Sequence, residues 1–373
     1  MSNISNAQFD FSLHFLKQLN SANSGSIVCS PISLTLSLAM ILFGARGQTS
    51  LEISNIIGPN LNDSQIYEHF SKIMIKLTSE DPFVTLIGAN KIYVADEFNI
   101  NSDFENFIKD KFMGGLEKIN FGNTILAAEI INSFANASTR GFIEKVIGPK
   151  NIDPITRIML LNVLYFQADW QYKFDESKTK ERDFYLSGNE TRTEFMMTIQ
   201  KKYYYYENED FEMVSLPYLG KQFKMIIILP KEPFNHDHFL RNVLATESLL
   251  KALKKSRRIL VNVIIPKFKM ELTTDLSVIL RQFGLTDSFD HTKADFEGIT
   301  NNKTLLITEI WQKAKIAVCE SGTEAAAITT VKIIPLSSDG GSFKSIKHFN
   351  ANHSFSYHIL DEVNNIYFSG VFK

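Results

Sequence analysis

Cysteine is scarce in this chain, which holds two, Cys29 and Cys319, among 373 residues. They lie far apart in apolar surroundings and match neither a disulfide framework nor a zinc-binding spacing. We therefore expect buried free thiols in a reducing compartment. The N-terminal residues also lack a basic stretch followed by an apolar core, so no conventional signal peptide is visible. These features predict a cytoplasmic protein. An extracellular location stays open in case a leader has been removed, although Met1 argues against removal.

The sequence is equally poor in long apolar runs and in charge of one sign. The apolar run of residues 26–45 is interrupted by Pro31 and several serines, so it predicts a buried core helix and no membrane contact. The formal net charge of −2 argues against a nucleic-acid-binding protein. One basic cluster is typical of a solvated helix end, or alternatively of a weak polyanion contact. It comprises Lys251, Lys254, Lys255, Arg257 and Arg258.

The usual catalytic motifs are missing. The chain contains no G-x-S-x-G elbow, no H-E-x-x-H, no G-x-G-x-x-G and no Walker-type phosphate loop. Its eight histidines are scattered, and each is more typical of a satisfied structural residue than of a metal ligand or a base. We therefore expect no enzyme, no metal and no cofactor. A catalytic site assembled from residues distant in sequence remains an unsupported alternative.

What the chain does contain is enough apolar material for a large core, since 44% of its residues are hydrophobic and 30 are phenylalanines. Helical periodicity dominates the first half, and apolar or alternating runs typical of strands dominate the second. No repeat or Pro/Gly-rich linker divides the chain. This order predicts an α+β protein with mainly antiparallel sheets.

Residues 320–338 are strand-forming and nearly free of charge, which is unusual for an exposed segment. This segment belongs to a set of eight stretches that occur in a characteristic order: CSPISLTLSLAMILFGARGQT, INSFANASTRGFI, LLNVLYFQADWQYKF, LPYLGKQFKMIIILP, IPKFKMELTTDLSVILRQFGLTDSF, ADFEGIT, GTEAAA and FNANHSFSYHI.

In these stretches the chain resembles a serpin, from about residue 9 to residue 372. The resemblance implies a single domain over residues 1–373, with three mainly antiparallel β-sheets and eight or nine helices. It also implies an exposed reactive-centre loop at about residues 320–348. The expected protein is a monomeric protease inhibitor of the suicide-substrate type. A target protease cuts the loop and forms a covalent acyl-enzyme, and the cut loop then inserts into the central sheet.

The resemblance assigns the hinge of that loop to Glu320, Gly322, Thr323, Glu324, Ala325, Ala326 and Ala327. As an inserted strand the segment would alternate between two faces. One set of residues is small or apolar: Thr323, Ala325, Ala327, Thr329, Val331 and Ile333. The other set carries both charges and is expected to face solvent: Gly322, Glu324, Ala326, Ile328, Thr330 and Lys332. Gly322 is expected to supply backbone freedom. Some fourteen inserted residues would move a bound protease by about 45 Å.

The reactive bond is expected between Leu336 and Ser337, because serpins are usually cut sixteen residues after the glutamate that begins the hinge. A leucine at this position suits a chymotrypsin-like pocket, while a cysteine cathepsin stays open as the target. The tract that follows is longer than is usual in the family. A cut at Lys344 or Lys347, with a trypsin-like target, is therefore an alternative.

The resemblance also assigns the region where the central sheet opens to Ser30, Ser33, Asn162, Trp170 and Gln312. Gln312 stands where many serpins have a histidine, and we expect its amide to bond with Ser33 or Asn162.

The main alternative function keeps the fold and drops inhibition, giving a carrier or chaperone. Non-inhibitory serpins tend to have charged, proline or bulky hinge residues, which this hinge lacks at its inward positions. A polyanion-activated inhibitor is a variant that depends on whether Lys254, Lys255, Arg257 and Arg258 form one exposed patch.

Overall fold

The computed structural model describes residues 3–78, 81–113, 115–323 and 346–373. The predicted residues that lie outside these ranges are Glu324, Ala325, Ala326, Ala327, Ile328, Thr329, Thr330, Val331, Lys332, Ile333, Leu336, Ser337 and Lys344.

Within the described ranges the chain forms nine α-helices, six of which precede residue 139 as the sequence pattern predicts. The helices are α1 (Asn3–Ser21), α2 (Pro31–Leu42), α3 (Gly47–Ile57), α4 (Asp63–Thr78), α5 (Ser102–Phe112), α6 (Thr124–Ser138), α7 (His236–His238), α8 (Thr246–Lys255) and α9 (Ser277–Gln282).

The same ranges contain fifteen strands, most of them in the second half of the chain. They are β1 (Ile27–Cys29), β2 (Val84–Ala95), β3 (Leu116–Ile119), β4 (Ile158–Asp169), β5 (Lys180–Tyr185), β6 (Thr191–Glu207), β7 (Phe211–Pro217), β8 (Phe223–Pro230), β9 (Arg257–Pro266), β10 (Phe268–Asp275), β11 (Ile307–Val318), β12 (Gly322–Thr323), β13 (Lys347–Asn350), β14 (Phe355–Asp361) and β15 (Ile366–Phe372).

Helix α2 is buried along its whole length, as predicted for the apolar run. Ser30 caps its start by accepting a hydrogen bond from the backbone N–H of Ser33, and Pro31 occupies the first turn, where no N–H donor is needed. None of the helices in the part of the chain described here is both long and apolar enough to cross a membrane.

The central sheet has the strand order β10-β11-β12-β4-β2-β3 among the described strands. Its middle strands, β11 and β4, run parallel and pair directly from Ile307 and Ile158 to Lys315 and Tyr165. On either side, β10 and β2 pair with them in the antiparallel sense. Strand β4 is buried on both faces: the ring of Phe142 stacks on Tyr165 from one side at 4.0 Å, and Phe166 lies buried on the other.

The second sheet runs β1-β15-β14-β8-β7-β6-β9-β13, with β5 added to β6. Strand β6 is 17 residues long and pairs with β5 near its start, β9 in its middle and β7 at its end. Two of the three predicted sheets are therefore continuous through β6. Most strand pairs described are antiparallel, so the α+β prediction is confirmed.

Candidate functional site

The predicted hinge enters the central sheet at the end where β4 finishes with Ala168 and Asp169, which we call the upper end. After β11 the chain turns through Cys319 and returns as β12, which is antiparallel to both neighbours. Gly322 pairs with Asp169, while Thr323 pairs with Ala168 on one side and Val318 on the other. The two-residue strand thus lies between β4 and β11, directly above the stretch where those two strands pair with each other.

Gly322 is required for a different reason than predicted. A Cβ atom at this position would lie 2.1 Å from the carbonyl oxygen of Ala168 and 2.7 Å from the Cα atom of Asp169. Gly322 is not among the residues with positive φ. The expectation that it supplies unusual backbone angles is therefore wrong, and the glycine instead permits close approach of two backbones.

An aromatic pair holds the turn that precedes the hinge. The indole of Trp170 stacks on the ring of Tyr218 at 4.5 Å, and its Nε1 donates to the carbonyl oxygen of Cys319 at 2.9 Å. The hydroxyl of Tyr218 bonds to Oγ1 of Thr323 at 2.7 Å. The predicted residue Trp170 thus contacts the hinge through its turn. Tyr218, which the sequence reasoning missed, contacts the hinge directly.

Glu320 fixes the base of the hinge electrostatically. Its side chain is 6% exposed, accepts a hydrogen bond from Thr179 at 2.9 Å, and lies 3.0 Å from the ammonium of Lys267. Burial by itself would raise the pKa of Glu320, but the bonds from Lys267 and Thr179 outweigh it and leave the pKa below its ordinary value. Lys267 and Thr179 were also missed, although Lys267 lies within one of the quoted family stretches.

The amide of Gln312 bonds to the backbone of Ser30. Its Oε1 accepts from the Ser30 N–H at 2.9 Å, and its Nε2 donates to the Ser30 carbonyl at 2.8 Å. The expectation that Gln312 bonds to Ser33 or Asn162 is therefore wrong. Instead it ties β11 to the first turn of α2.

Asn162 and Ser33 complete this buried cluster through partners that were not predicted. Ser37 donates to the side-chain oxygen of Asn162, whose Nδ2 donates to the carbonyl of Trp311 at 3.3 Å. Ser33 donates to Oδ1 of Asn90 at 2.7 Å. Helix α2 and its cap residue Ser30 are thus hydrogen-bonded to β2, β4 and β11. These bonds lie beside the parallel pair of β4 and β11, whose two strands would have to separate for another strand to enter between them.

Beyond the reactive segment, Lys347 is the first residue of β13. It pairs with Val261 in β9 and forms an ion pair with Glu207. A residue held in a sheet in this way is poorly placed for cleavage by a protease, so we do not retain Lys347 as an alternative reactive residue.

The basic cluster lies at the end of α8 and the start of β9, and its five side chains are exposed. Lys251, Lys254 and Lys255 share one face of α8 because their spacing is three and four residues. Arg258 lies beside Tyr172, with its Nη2 at 3.4 Å from the tyrosine hydroxyl.

Across the described ranges, no three histidine, cysteine or acidic side chains are grouped so as to hold a metal ion.

The family comparison agrees with this geometry. Residues 6–373 match the family model described as Serpin (serine protease inhibitor). Serpin B6 of Pongo abelii is 30% identical over 384 residues, and the alignment covers 100% of each chain. Leukocyte elastase inhibitor of Equus caballus is 30% identical over 385 residues, again with 100% of each chain covered. The chain belongs to the serpin family, a family of protease inhibitors that also has non-inhibitory members.

Solved structures confirm the predicted fold. Serpin48 of the insect Tenebrio molitor superposes with a TM-score of 0.89 at 28% identity, covering 99% of this chain and 97% of that one. Human thyroxine-binding globulin, in complex with thyroxine, superposes with a TM-score of 0.89 at 25% identity, covering 99% and 97%.

Proposed function

We propose that the protein is a protease inhibitor that acts as a suicide substrate, with the reactive bond at Leu336–Ser337. The protease nucleophile attacks the Leu336 carbonyl carbon, the peptide bond breaks, and the amine of Ser337 leaves as a new N-terminus. The freed loop then enters the central sheet and distorts the attached protease before the ester is hydrolysed. The observation that carries this proposal is β12, whose two residues already lie between β4 and β11.

The pairing of β12 with β4 and its pairing with β11 remain compatible when both are continued toward the lower end of the sheet. If its antiparallel pairing continued, Ala327 would lie opposite Ala314 and Leu164, and these two residues are already partners in the parallel pair. The same continuation would bring Thr329 opposite Gln312 and Asn162, which are also existing partners. A strand that continues β12 therefore fits both neighbours at once.

The length of the segment also supports a cut at Leu336. By the same register, Ile333 would lie opposite Ile158, the first residue of β4, at the lower end of that strand. Pro335 follows just beyond the sheet, which suits a residue that cannot donate to a central strand. Leu336 would then lie at the lower end of the molecule. The inserted stretch matches the 12 residues of β4, which corresponds to a displacement of about 40 Å at 3.3 Å per residue.

The chemistry of the receiving face favours the inward set of small residues. At this register Ala325 would lie between Ile316 and Phe166, which are fully buried. The opposite set was expected to face solvent, but Ile328 would lie beside Val163 and Lys313, which are buried as well. Near Val163 and Lys313 this second face of the sheet is shielded from solvent, so an apolar residue at position 328 suits it.

We also propose that residues 1–373 form a single domain that works as a monomer in the cytoplasm. The family model spans nearly the whole chain, and a relative at 30% identity is named Intracellular coagulation inhibitor 2, from Tachypleus tridentatus. Cys29 and Cys319 are free thiols, and burial raises the pKa of the Cys29 thiol, so that it stays protonated and unreactive.

The first experiment mixes the purified protein with chymotrypsin, elastase, trypsin and cathepsin L. We expect an SDS-stable complex with a protease that prefers leucine, and release of a C-terminal peptide that starts at Ser337. Denaturing gels and mass spectrometry measure both. Clean cleavage without a complex would favour a carrier or chaperone instead, a role compatible with the thyroxine complex of the human relative. A peptide that starts after Lys344 would move the reactive bond.

A pair of hinge variants separates insertion from cleavage. Ala325→Arg places a charge between Ile316 and Phe166, so we expect at least a tenfold loss of complex while cleavage continues. Glu324→Arg is the matched control, because its neighbours at this register, Ala317 and Gln167, are half-buried. We expect it to retain most of the complex. Equal yields from the two variants would exclude insertion at this register.

A further inference from the structure

A cavity of about 470 Å³ lies beside the turn between β7 and β8 and the last turn of α8. This volume lies within the range of small-molecule sites. None of the proposed inhibitory steps uses it. We call it the β7–β8 cavity.

The β7–β8 cavity is lined by cations. Lys202, Lys221 and Arg258 contribute to its wall, and no acidic residue lines it. Among the residues that the structure describes, Lys202 and Lys221 have no carboxylate within ion-pair distance, and Arg258 contacts the Tyr172 hydroxyl. A fourth lining lysine, Lys224, donates to Asn364 at 3.0 Å and is therefore already engaged. Three cations thus remain for a ligand, in a protein whose net charge is −2.

The position of Lys221 is built into the turn. Gly220 and Lys221 both have positive φ, of 80° and 63°. Two such residues in succession are typical of the turns that join antiparallel strands, where glycine and asparagine are favoured. A lysine in this left-handed conformation has a higher backbone energy than a glycine would have. No ion pair of Lys221 within the described part of the fold offsets that energy.

The remaining wall of the β7–β8 cavity is aromatic and apolar. Tyr204 is 54% exposed, and the ring of Tyr172 packs edge-on against Tyr203 at 6.0 Å. Leu253 on α8 adds an aliphatic surface. The ammonium of Lys201 lies 5.9 Å from the centroid of the Tyr172 ring and adds positive potential near this wall.

We propose that the β7–β8 cavity binds a small aromatic anion of the aryl phosphate class. The phosphate oxygens accept hydrogen bonds from Lys202, Lys221 and Arg258, and the aryl ring packs against Tyr204 and Tyr172. Neither a bare phosphate nor a neutral ring would use both halves of the wall. This binding does not depend on protease inhibition.

Residues that line the β7–β8 cavity are connected to the hinge by the chain and by hydrogen bonds. Gln171 and Tyr172 follow Trp170 in the chain, and the Gln171 N–H donates to the carbonyl of Pro217 at 2.9 Å. Tyr218, the next residue after Pro217, bonds to Thr323. A ligand that restricts the motion of these lining residues would therefore also restrict Trp170 and Tyr218, which contact the hinge and the turn before it.

Isothermal titration of the full chain with 1-naphthyl phosphate tests the proposal, with inorganic phosphate and 1-naphthol as separate titrants. We expect saturable binding of the aryl phosphate at least tenfold tighter than that of either other compound. Equal binding of inorganic phosphate would reduce the site to a general anion patch. Absence of saturable heat up to about 5 mM aryl phosphate would refute the site, whatever the outcome of the protease experiments.

Variants then locate the bound ligand. Lys202→Gln with Arg258→Gln should weaken binding of 1-naphthyl phosphate at least tenfold, and Tyr204→Leu should weaken it several-fold. Lys251→Gln with Lys254→Gln removes the same charge from the exposed face of α8 outside the β7–β8 cavity, and should change the Kd less than twofold. An equal loss in this control would assign the binding to the basic cluster as a whole and contradict the proposal.

A spectroscopic signal gives an independent location. The chain has two tryptophans, so Trp311→Phe leaves Trp170 as the sole reporter beside the wall of the β7–β8 cavity. Ligand addition should shift the emission of Trp170 with the same Kd as the calorimetric titration. An unchanged emission spectrum at saturation would place the ligand elsewhere.

Discussion

His358 lies in β14 and is completely buried. Its Nδ1 bonds to the hydroxyl of Ser369 at 2.8 Å, and burial lowers its pKa to about 3. His236, which bonds to Ser356, has its pKa lowered by burial to about 4. Both imidazoles are therefore neutral in the folded protein at every pH near neutrality, whereas in the unfolded chain they titrate near 6.5.

The first prediction concerns acid stability. A depressed pKa means that the unfolded chain binds a proton that the folded protein excludes. The stabilisation is therefore complete above about pH 6.5 and is lost as the pH falls toward 3. At pH 4.5 each buried histidine would cost about 3 kcal/mol. We expect His358→Gln to flatten the pH dependence of the unfolding midpoint between pH 7 and 4.5, with the exposed His291→Gln as control. A slope identical to that of the unmodified protein would contradict this.

Individual residues of the site were predictable where the family resemblance names them, but their partners were not. Gln312 was located, whereas its bonds to Ser30 were not, because they join positions 282 residues apart in the chain. Gly322 was assigned to the hinge correctly, but the reason given for a glycine there was wrong. The glycine is needed because the backbone of β4 lies close to it, and the sequence does not show which strand is its neighbour. Lys267 and Tyr218 carried a weak signal, as both lie in the quoted family stretches.

Strands β4 and β11 form a parallel pair whose buried side chains bond to Ser37 of α2 and to the backbone of Ser30, the residue that caps α2. Gln312 is the link from β11, and its two bonds to Ser30 lie in a fully buried place. These bonds resist separation of the two strands at the position through which an entering strand must pass.

The second prediction tests this link. Gln312→Ala leaves buried backbone groups of Ser30 without their side-chain partner, at a cost of about 1–3 kcal/mol. We expect the melting temperature to fall by roughly 1–2 °C for each kcal/mol, because the entropy of unfolding scales with chain length. Gln200→Ala, on an exposed position of β6, should change it little. Calorimetric melting of both variants measures the difference, and equal melting temperatures would show that the Gln312 link carries no stability.

The types of element followed from hydrophobic periodicity, as the buried α2 and the strands of the second half illustrate. Their pairing did not follow, because parallel contact of β4 with β11 joins segments about 150 residues apart and depends on packing that periodicity does not encode. The continuity of two sheets through β6 was missed for the same reason, since each part of β6 reads as an ordinary strand.

At the scale of the whole molecule, the proposed mechanism requires that the uncut fold be a kinetic trap. Full insertion would bury Ala325, Ala327, Val331 and Ile333 and add a strand with two complete hydrogen-bonded edges. The gain from such burial is on the order of 10 kcal/mol.

The third prediction follows from that gain. Cleavage within residues 324–345 by subtilisin, without formation of a complex, should raise the melting temperature by at least about 10 °C. Scanning calorimetry before and after cleavage measures the change, and Ala325→Arg provides the control that is cut but should show little gain. An unchanged melting temperature in the cleaved, unmodified protein would mean that the loop stays outside the sheet.

The two residues of β12 also determine how insertion begins. Adding a strand to a closed pair normally starts with an unfavourable step, in which two strands separate before any new bond forms, much as a helix must form its first turn. Here Gly322 and Thr323 have already made that first contact with both neighbours. In the proposed mechanism, insertion would therefore elongate in one direction from a contact that already exists, while the pairs between β4 and β11 below that contact must still separate. If the proposed mechanism holds, the rate of insertion competes with hydrolysis of the acyl-enzyme, and a first inserted pair that is already in place shortens the time that insertion needs.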